Sequence, residues 1–248
     1  MVLDTPATPT VSLVTGANKG IGFSTAELLA GMGHEVIVGA RDPSLGEAAA
    51  RALREDGASA WYLPLDITSD DQVDAAARWI SDRFGRLDIL VNNAAIKLEF
   101  YPAPPSSCRL DLVRRTLDTN VVGTVRVIQA MLPLLRTAPA GRIVNVSSGL
   151  GSLTLATTPG TKYRDRPLLS YNVAKAALNS VTVQFANELR ATAVKVNSVD
   201  PGFTNTDMTK NTGSRSPARA AAVVVALATT GPDGPTAGFF DENGPLPW

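Results

Sequence analysis

Six short apolar runs rich in β-branched residues recur along the chain, at 11–15, 35–39, 59–63, 87–92, 142–147 and 194–199. They are almost continuously apolar rather than alternating, the pattern expected of strands buried on both faces. Segments with helical spacing lie between them. The spacing predicts that Ile21, Thr25, Leu28 and Met32 share one helix face, with Gly33 as the C′ stop. Over 170–190 it places Leu178, Val181, Phe185 and Leu189 together, with Ser170 as N-cap. Strand–helix alternation implies right-handed crossovers and a parallel sheet covered on both sides. The expected fold is a single doubly wound α/β domain over 11–248, following a tail over 1–10. Its sheet should be mostly parallel, with about seven strands and helices on both faces. No linker or repeat divides it.

Composition narrows the chemistry. Of 248 residues, 44% are hydrophobic, enough for a buried core. Lys plus Arg and Asp plus Glu both number 23, so no global charge draws the chain to nucleic acid or an anionic membrane. One cysteine, Cys108, cannot form an internal disulfide, and one histidine, His34, cannot build a His-rich metal site. No metal is expected. The first ten residues lack the apolar core of a secretory signal, and no apolar run approaches the roughly 20 residues that span a bilayer. A cytoplasmic location is expected.

Three irregular stretches follow expected strands at their carboxyl ends: 99–107 with three prolines, 149–169 rich in Gly, Thr and Pro, and the polar 204–217. Open α/β sheets bind ligands on that side, so these stretches are candidate pocket walls; ordinary surface loops are the alternative.

The first strand runs into Thr15-Gly16-Ala17-Asn18-Lys19-Gly20-Ile21-Gly22 and then a helix. Glycines there let the backbone approach a pyrophosphate, and the helix N-terminus supplies N–H donors. A tight turn alone would also want glycine. An NAD site usually carries an acid at the end of the second strand; here stand Ala40 and Arg41. Arg41 suits a bidentate grip on a 2′-phosphate, and Lys19 adds charge nearby. These cations favour NADP(H) over NAD(H). Asp42 could pair with Arg41 or reach the ribose, and Arg41 could be an ordinary solvated cation.

Tyr171 and Lys175 lie four positions apart on an expected helix, hence on one face. A phenol with pKa about 10 becomes a useful acid–base group when a nearby ammonium favours its anion. Ser147 and Ser148 end the preceding strand on the ligand side, where a serine can hold a substrate oxygen. Alone, a Tyr-x-x-x-Lys pair is common on helices.

With these residues in order, the chain resembles the short-chain dehydrogenase/reductase family, and within it the carbonyl-reductase-like, NADPH-dependent members. The resemblance covers nearly the whole chain. It rests on the glycine motif at 15–22, Leu65-Asp66-Ile67, Asn92-Asn93-Ala94-Ala95, Asn120, Ser148, Tyr171 with Lys175, and Asp200-Pro201-Gly202 followed by Thr204 and Thr206. It implies a Rossmann fold. It further implies that Gly16, Asn18, Lys19, Gly20, Ile21 and Gly22 line the diphosphate and ribose, with Arg41 on the 2′-phosphate. Asp66 and Ile67 would contact adenine, and Asn93 and Ala94 the adjoining ribose region. Pro201, Gly202, Thr204 and Thr206 would position the nicotinamide. Tyr171 would donate the proton, Ser148 would bind the substrate oxygen, and Lys175 would hold the ribose and depress the tyrosine pKa. Asn120 would anchor a water linking Lys175 to solvent.

Two departures accompany the match. Ala95 replaces the family's glycine, and the Ser148–Tyr171 interval is longer than in tetrameric members but shorter than in mammalian carbonyl reductases. A monomer is favoured over a dimer on that ground. Ser147, His34 and Cys108 read as structural or surface residues. Trp61, Trp79 and Trp248 read as packing, with Trp248, Phe239 and Phe240 closing one pocket side. Asp70, Asp71 and Asp74 read as helix N-terminal acids. The expected activity is hydride transfer between NADPH and a small-molecule carbonyl compound. The alternatives are an alcohol dehydrogenase working oxidatively and a non-enzymatic dinucleotide sensor.

Overall fold

The computed structural model describes residues 9–248. Most of the expected tail, and with it the region read for a secretory signal, lies outside the described residues. Strand β1 (Val11–Thr15) leads through the glycine turn into α1 (Gly20–Gly31), then β2 (Glu35–Ala40), α2 (Pro43–Glu55), β3 (Ala60–Pro64), α3 (Asp70–Phe84) and β4 (Ile89–Asn92). Helix α4 (Leu110–Leu117) passes through a π-helical stretch, Asp118–Gly123, into α5 (Thr124–Thr137). Then come β5 (Arg142–Val146), the short α6 (Leu153–Thr157), α7 (Leu169–Glu188), β6 (Lys195–Val199), α8 (Pro217–Ala228), β7 (Phe239–Asp241) and β8 (Gly244–Pro245).

The sheet order is β3-β2-β1-β4-β5-β6-β7-β8. Every pairing is parallel except β7–β8, so the sheet gains a two-residue antiparallel edge beyond the seven strands expected. Side chains alternate between faces. Leu13, Ile37, Leu90 and Ile143 enter the core under α3, α5 and α7. Val14, Val36, Val38, Val91 and Val144 enter the opposite core under α1, α2 and α8. Strand order reverses between β1 and β4, and a crevice opens there beyond the carboxyl ends of the strands.

The expected face of α1 is corrected. Thr25 is buried, but Leu28 and Met32 are 37% and 55% exposed. The buried residues are Gly22, Ser24, Thr25, Ala26 and Leu29. Helix α1 packs on the sheet and on α8 together, and such close approach selects small side chains rather than an apolar stripe. Gly33 does end the helix in the left-handed region (φ 82°). On α7, Leu178 and Leu189 are buried, and Val181 and Phe185 pack against the core. Ser170 is not the N-cap: Leu168 holds that position without a side-chain bond, and Ser170 sits inside the first turn. Elsewhere His34 Nδ1 bonds Ser12 Oγ at 2.9 Å, Trp61 packs near Trp79, and Trp248 stacks on Phe239. Ser69 caps α3, with Asp70 and Asp71 in its first turn.

Candidate active site

The glycine turn packs so closely on the chain around it that side chains are excluded at two of its positions. Gly16 (φ 64°) and Gly20 (φ 58°) occupy the left-handed region. A Cβ on Gly22 would stand 2.5 Å from both Asn93 Nδ2 and Gly16 O. Asn93 staples the turn to β4: its Nδ2 donates to Thr15 O (2.9 Å) and Gly16 O (3.1 Å). Thr15 Oγ1 accepts from Asn93 N and Ala94 N, each at 3.0 Å. Lys19 stands at the N-cap of α1 without a side-chain cap, and no acid lies in the helix's first turn. Its first N–H groups therefore face the crevice without a side-chain acceptor, an arrangement that suits a diphosphate.

Arg41 is exposed immediately beyond β2. Asp42 is committed elsewhere, its Oδ1 accepting from Leu45 N at 3.0 Å to cap α2. Lys19 pairs with Asp207 at 2.6 Å, with both side chains exposed. Burial pushes the Asp66 carboxyl up, but Thr68, Arg41 and Arg126 together hold it below its ordinary value. Asp66 folds the turn after β3 by accepting from Thr68 N and Oγ1. Ile67 is buried in the core against Gly123.

Ser148, Tyr171 and Lys175 meet at one cavity of about 340 Å³, also lined by Ile21, Asn93, Pro201, Gly202, Thr204 and Thr206. Ser148 follows β5, and its Oγ accepts from Leu150 N at 3.2 Å. Ser147 is buried with its hydroxyl spent on Asn179 Oδ1 (2.6 Å) and Lys175 O (3.4 Å). Of the two serines, Ser148 is the one whose hydroxyl meets Tyr171. Lys175 Nζ donates to Val146 O at 2.7 Å and lies 5.6 Å from the Tyr171 ring centroid. Burial, opposed by Asp200, lowers the Lys175 ammonium to about 8. The expected depression of the Tyr171 pKa is corrected. Burial first, and then the Asp200 charge, hold the phenol above its ordinary value, with only its hydrogen bond to Ser148 acting downward.

Asn120 sits in the π-helical stretch and is buried. It clamps the chain after β4, its Oδ1 accepting from Ile96 N (2.8 Å) and its Nδ2 donating to Ile96 O (2.9 Å). Its side-chain amide thus pins the chain after β4, within a stretch that packs against α7. Asp200 Oδ1 accepts from Gly202 N (3.0 Å), and Thr204 Oγ1 donates to Gly202 O (3.1 Å). Thr206 Cγ2 packs over Gly20, where a Cβ would approach to 3.3 Å. Two of the three irregular stretches supply cavity walls, through Leu150, Tyr163, Arg166 and Leu168 and through Thr206, Met208 and Thr209. The 99–107 stretch does not, because it runs outward and leaves Tyr101 74% exposed.

The short chain dehydrogenase family model matches residues 10–217. The chain belongs to the short-chain dehydrogenase family. It is an oxidoreductase by that membership. A short-chain dehydrogenase of Penicillium roqueforti is 35% identical over 225 residues, covering 88% of each chain. An NADPH carbonyl reductase of Mus musculus is 30% identical over 276 aligned positions, covering 96% of this chain and 98% of its own. The solved structure of a short chain dehydrogenase from Escherichia coli CFT073, complexed with NADPH, superimposes with a TM-score of 0.82 at 26% identity. That match covers 94% of this chain and 95% of the other.

Within this family member the sequence pattern leaves several site residues unnoticed. Glu99 accepts at Oε2 from Ser170 N (2.6 Å), Ser170 Oγ and Tyr171 N (3.3 Å), closing the start of α7. Its other oxygen accepts from Cys108 Sγ at 3.3 Å. Tyr163 packs over Gly149 and donates to Asp200 Oδ2 at 3.1 Å. Burial, Asp200 and Asp241 hold the Tyr163 phenol above its ordinary value. Lys97 and Arg166 also line the cavity. These partners are 37 or more positions apart in Glu99–Ser170 and Tyr163–Asp200, beyond the reach of any local periodicity. No cluster of three or more His, Cys, Asp or Glu suited to a metal occurs among the described residues. None of their helices is long and apolar enough to cross a membrane.

Proposed function

We propose that the protein is an NADPH-dependent reductase of small aldehydes or ketones. The observation that carries this reading is the convergence of Ser148, Tyr171 and Lys175 on one cavity, beside the glycine turn. Gly16, Asn18, Gly20, Ile21 and Gly22 would hold the diphosphate, and Arg41 the 2′-phosphate. Asp66, Ile67, Asn93 and Ala94 would border the adenosine half, and Pro201, Gly202, Thr204 and Thr206 the nicotinamide half. When bound, NADPH supplies the hydride that reduces the carbonyl carbon.

Tyr171 donates its phenolic proton to the carbonyl oxygen, so the product leaves as an alcohol. Burial keeps that phenol protonated, so the proton to be donated is present. Ser148 hydrogen-bonds the same oxygen and steadies its developing charge. Lys175 orients the ribose and returns a proton to Tyr171 from solvent. Positioned proton transfer of this kind contributes about 10² to 10⁴ in rate. The same groups run the reverse oxidation, and the cofactor pool sets the direction. A monomer in the cytoplasm completes the reading.

The test is NADPH oxidation against aldehydes, cyclic ketones and quinones, with Tyr171→Phe alongside. We expect turnover of at least one class and a 10²- to 10⁴-fold loss of kcat in the variant, with NADPH affinity retained. A variant as active as the parent, or no oxidation with any class, overturns the reading. NADP⁺ reduction by the matching alcohols reports the oxidative alternative.

A further inference from the structure

Three loops bring cations to the mouth of the cavity. Lys97 follows β4, Lys162 and Arg166 lie between α6 and α7, and Lys210 lies after β6. Lys97, Lys162 and Arg166 line the cavity itself. Lys97 is half-buried, and burial first, then the charges of Arg166 and Lys210, lower its ammonium pKa. Each cation rests on an aromatic ring. Lys97 and Lys210 lie 5.9 and 4.5 Å from the Phe100 centroid, Arg166 5.5 Å from Phe203, and Lys162 4.9 Å from Tyr163. A ring face positions a cation without cancelling its charge.

None of these four cations forms an ion pair with a carboxylate among the described residues. Asp165, in the same loop as Lys162 and Arg166, is exposed and pairs with neither. Glu99 is spent on the α7 terminus, and Asp207 on Lys19. Asp200, the one carboxylate in the cavity lining, accepts from Tyr163 and Gly202. Elsewhere the chain pairs its crowded cations, as Arg215 and Arg219 share Glu242. Like charges gathered at the mouth of a concavity focus a positive field, and an incoming anion relieves it.

We propose that the cavity selects carbonyl substrates bearing an anionic group, gripped by Lys97 and Arg166, with Lys162 and Lys210 supplying the surrounding field. The proposal rests on the carbonyl-reductase reading and names its substrate class. Arg166 offers the planar fork that matches a carboxylate. The apolar body of the substrate packs on Leu150, Phe203 and Met208, with its carbonyl at Ser148 and Tyr171. The cofactor phosphates are served from the other side of the switch point, by the turn after β1 and by Arg41 after β2.

The test compares kcat/KM at saturating NADPH for 4-carboxybenzaldehyde and for its methyl ester. We expect the acid to be preferred about ten-fold at low ionic strength, with the preference shrinking as salt is added. Lys97→Met and Arg166→Gln should each lower the acid-to-ester ratio about ten-fold, and Lys97→Arg should keep most of it. An acid no better than the ester, a ratio that the variants leave unchanged, or a Lys97→Met effect confined to the NADPH KM overturns the proposal. Calorimetric titration with 4-(hydroxymethyl)benzoate separates this from the underlying activity. If neither aldehyde reacts and the aldehydes, cyclic ketones and quinones also give no NADPH oxidation, the reductase reading fails. Binding of that carboxylate in the parent, lost in Lys97→Met, still supports the anion site, and absence of binding in the parent overturns it.

Discussion

Glu99 caps the helix that carries Tyr171, although 72 positions separate the two residues. Its carboxylate gathers Ser170 N, the Ser170 hydroxyl and Tyr171 N at the first turn of α7, where no residue of the helix's own approach does so. A negative charge also complements the helix dipole there.

Glu99→Ala should leave those buried donors without their acceptor, costing about 1–3 kcal/mol. For a chain of this size that corresponds to a Tm fall of about 2–4 °C per kcal/mol. Because Tyr171 stands on the loosened turn, kcat should fall about ten-fold. Glu99→Gln, which keeps an acceptor oxygen, should recover most of both. Thermal melts and turnover of the two variants check this, and an alanine variant that melts with the parent would contradict the capping role.

Lys175 should make stability rise with alkaline pH. Burial lowers its ammonium from 10.5 to about 8, so above pH 8 the folded lysine has lost a proton that the unfolded one retains. Unfolding then takes up a proton, and the native state gains as pH rises. Tyr171 shifts the opposite way, but its effect begins only above its ordinary 10.0. From pH 7 to 9.5 the parent should therefore gain about 2 kcal/mol relative to Lys175→Met. Urea unfolding of both proteins at the two pH values measures the difference, and parallel behaviour would refute the assignment.

Arg41→Ala should weaken NADPH selectively. Charge-assisted bonds to a phosphate are worth about 1.5–3 kcal/mol, so the KM for NADPH should rise about ten- to hundred-fold while that for NADH changes little. Equal KM values for the two cofactors in the parent would count against the role given to Arg41.

Two glycines on α1 should respond oppositely to alanine. Gly22→Ala drives a methyl to 2.5 Å from Asn93 Nδ2 and Gly16 O, so about 1–3 kcal/mol of stability and at least ten-fold in NADPH affinity should be lost. Gly31→Ala meets nothing within 4 Å and should stabilise by about 0.4–1 kcal/mol. Melts and fluorescence titration with NADPH distinguish the outcomes.

The strands were legible because burial on both faces writes continuous apolar runs, and those runs at 11–15, 142–147 and 194–199 recur as β1, β5 and β6 within a residue. The buried face of α1 was not, because helix–helix contact there selects Gly22, Ser24 and Ala26, residues that carry no hydrophobic periodicity. Ser170 looked like a cap from its position, yet it became a ligand of a cap supplied by Glu99. Lys175 looked set to lower the Tyr171 pKa from helical spacing alone, but spacing says nothing of desolvation, which raises it.

Local sequence thus determined what depends on neighbours along the chain: the strand–helix alternation, the glycine turn, and the shared helix face of Tyr171 and Lys175. Tertiary packing decided which serine meets Tyr171, where the charge of Lys19 went, and that the Tyr171 phenol shifts up rather than down. It also brought Lys97 and Arg166 from two loops to one cavity, with Lys210 from a third sharing the Phe100 ring with Lys97. Hydrogen bonds and charges act through space at a few ångströms, and partners such as Glu99 and Ser170, 71 positions apart, become neighbours only once the sheet has formed.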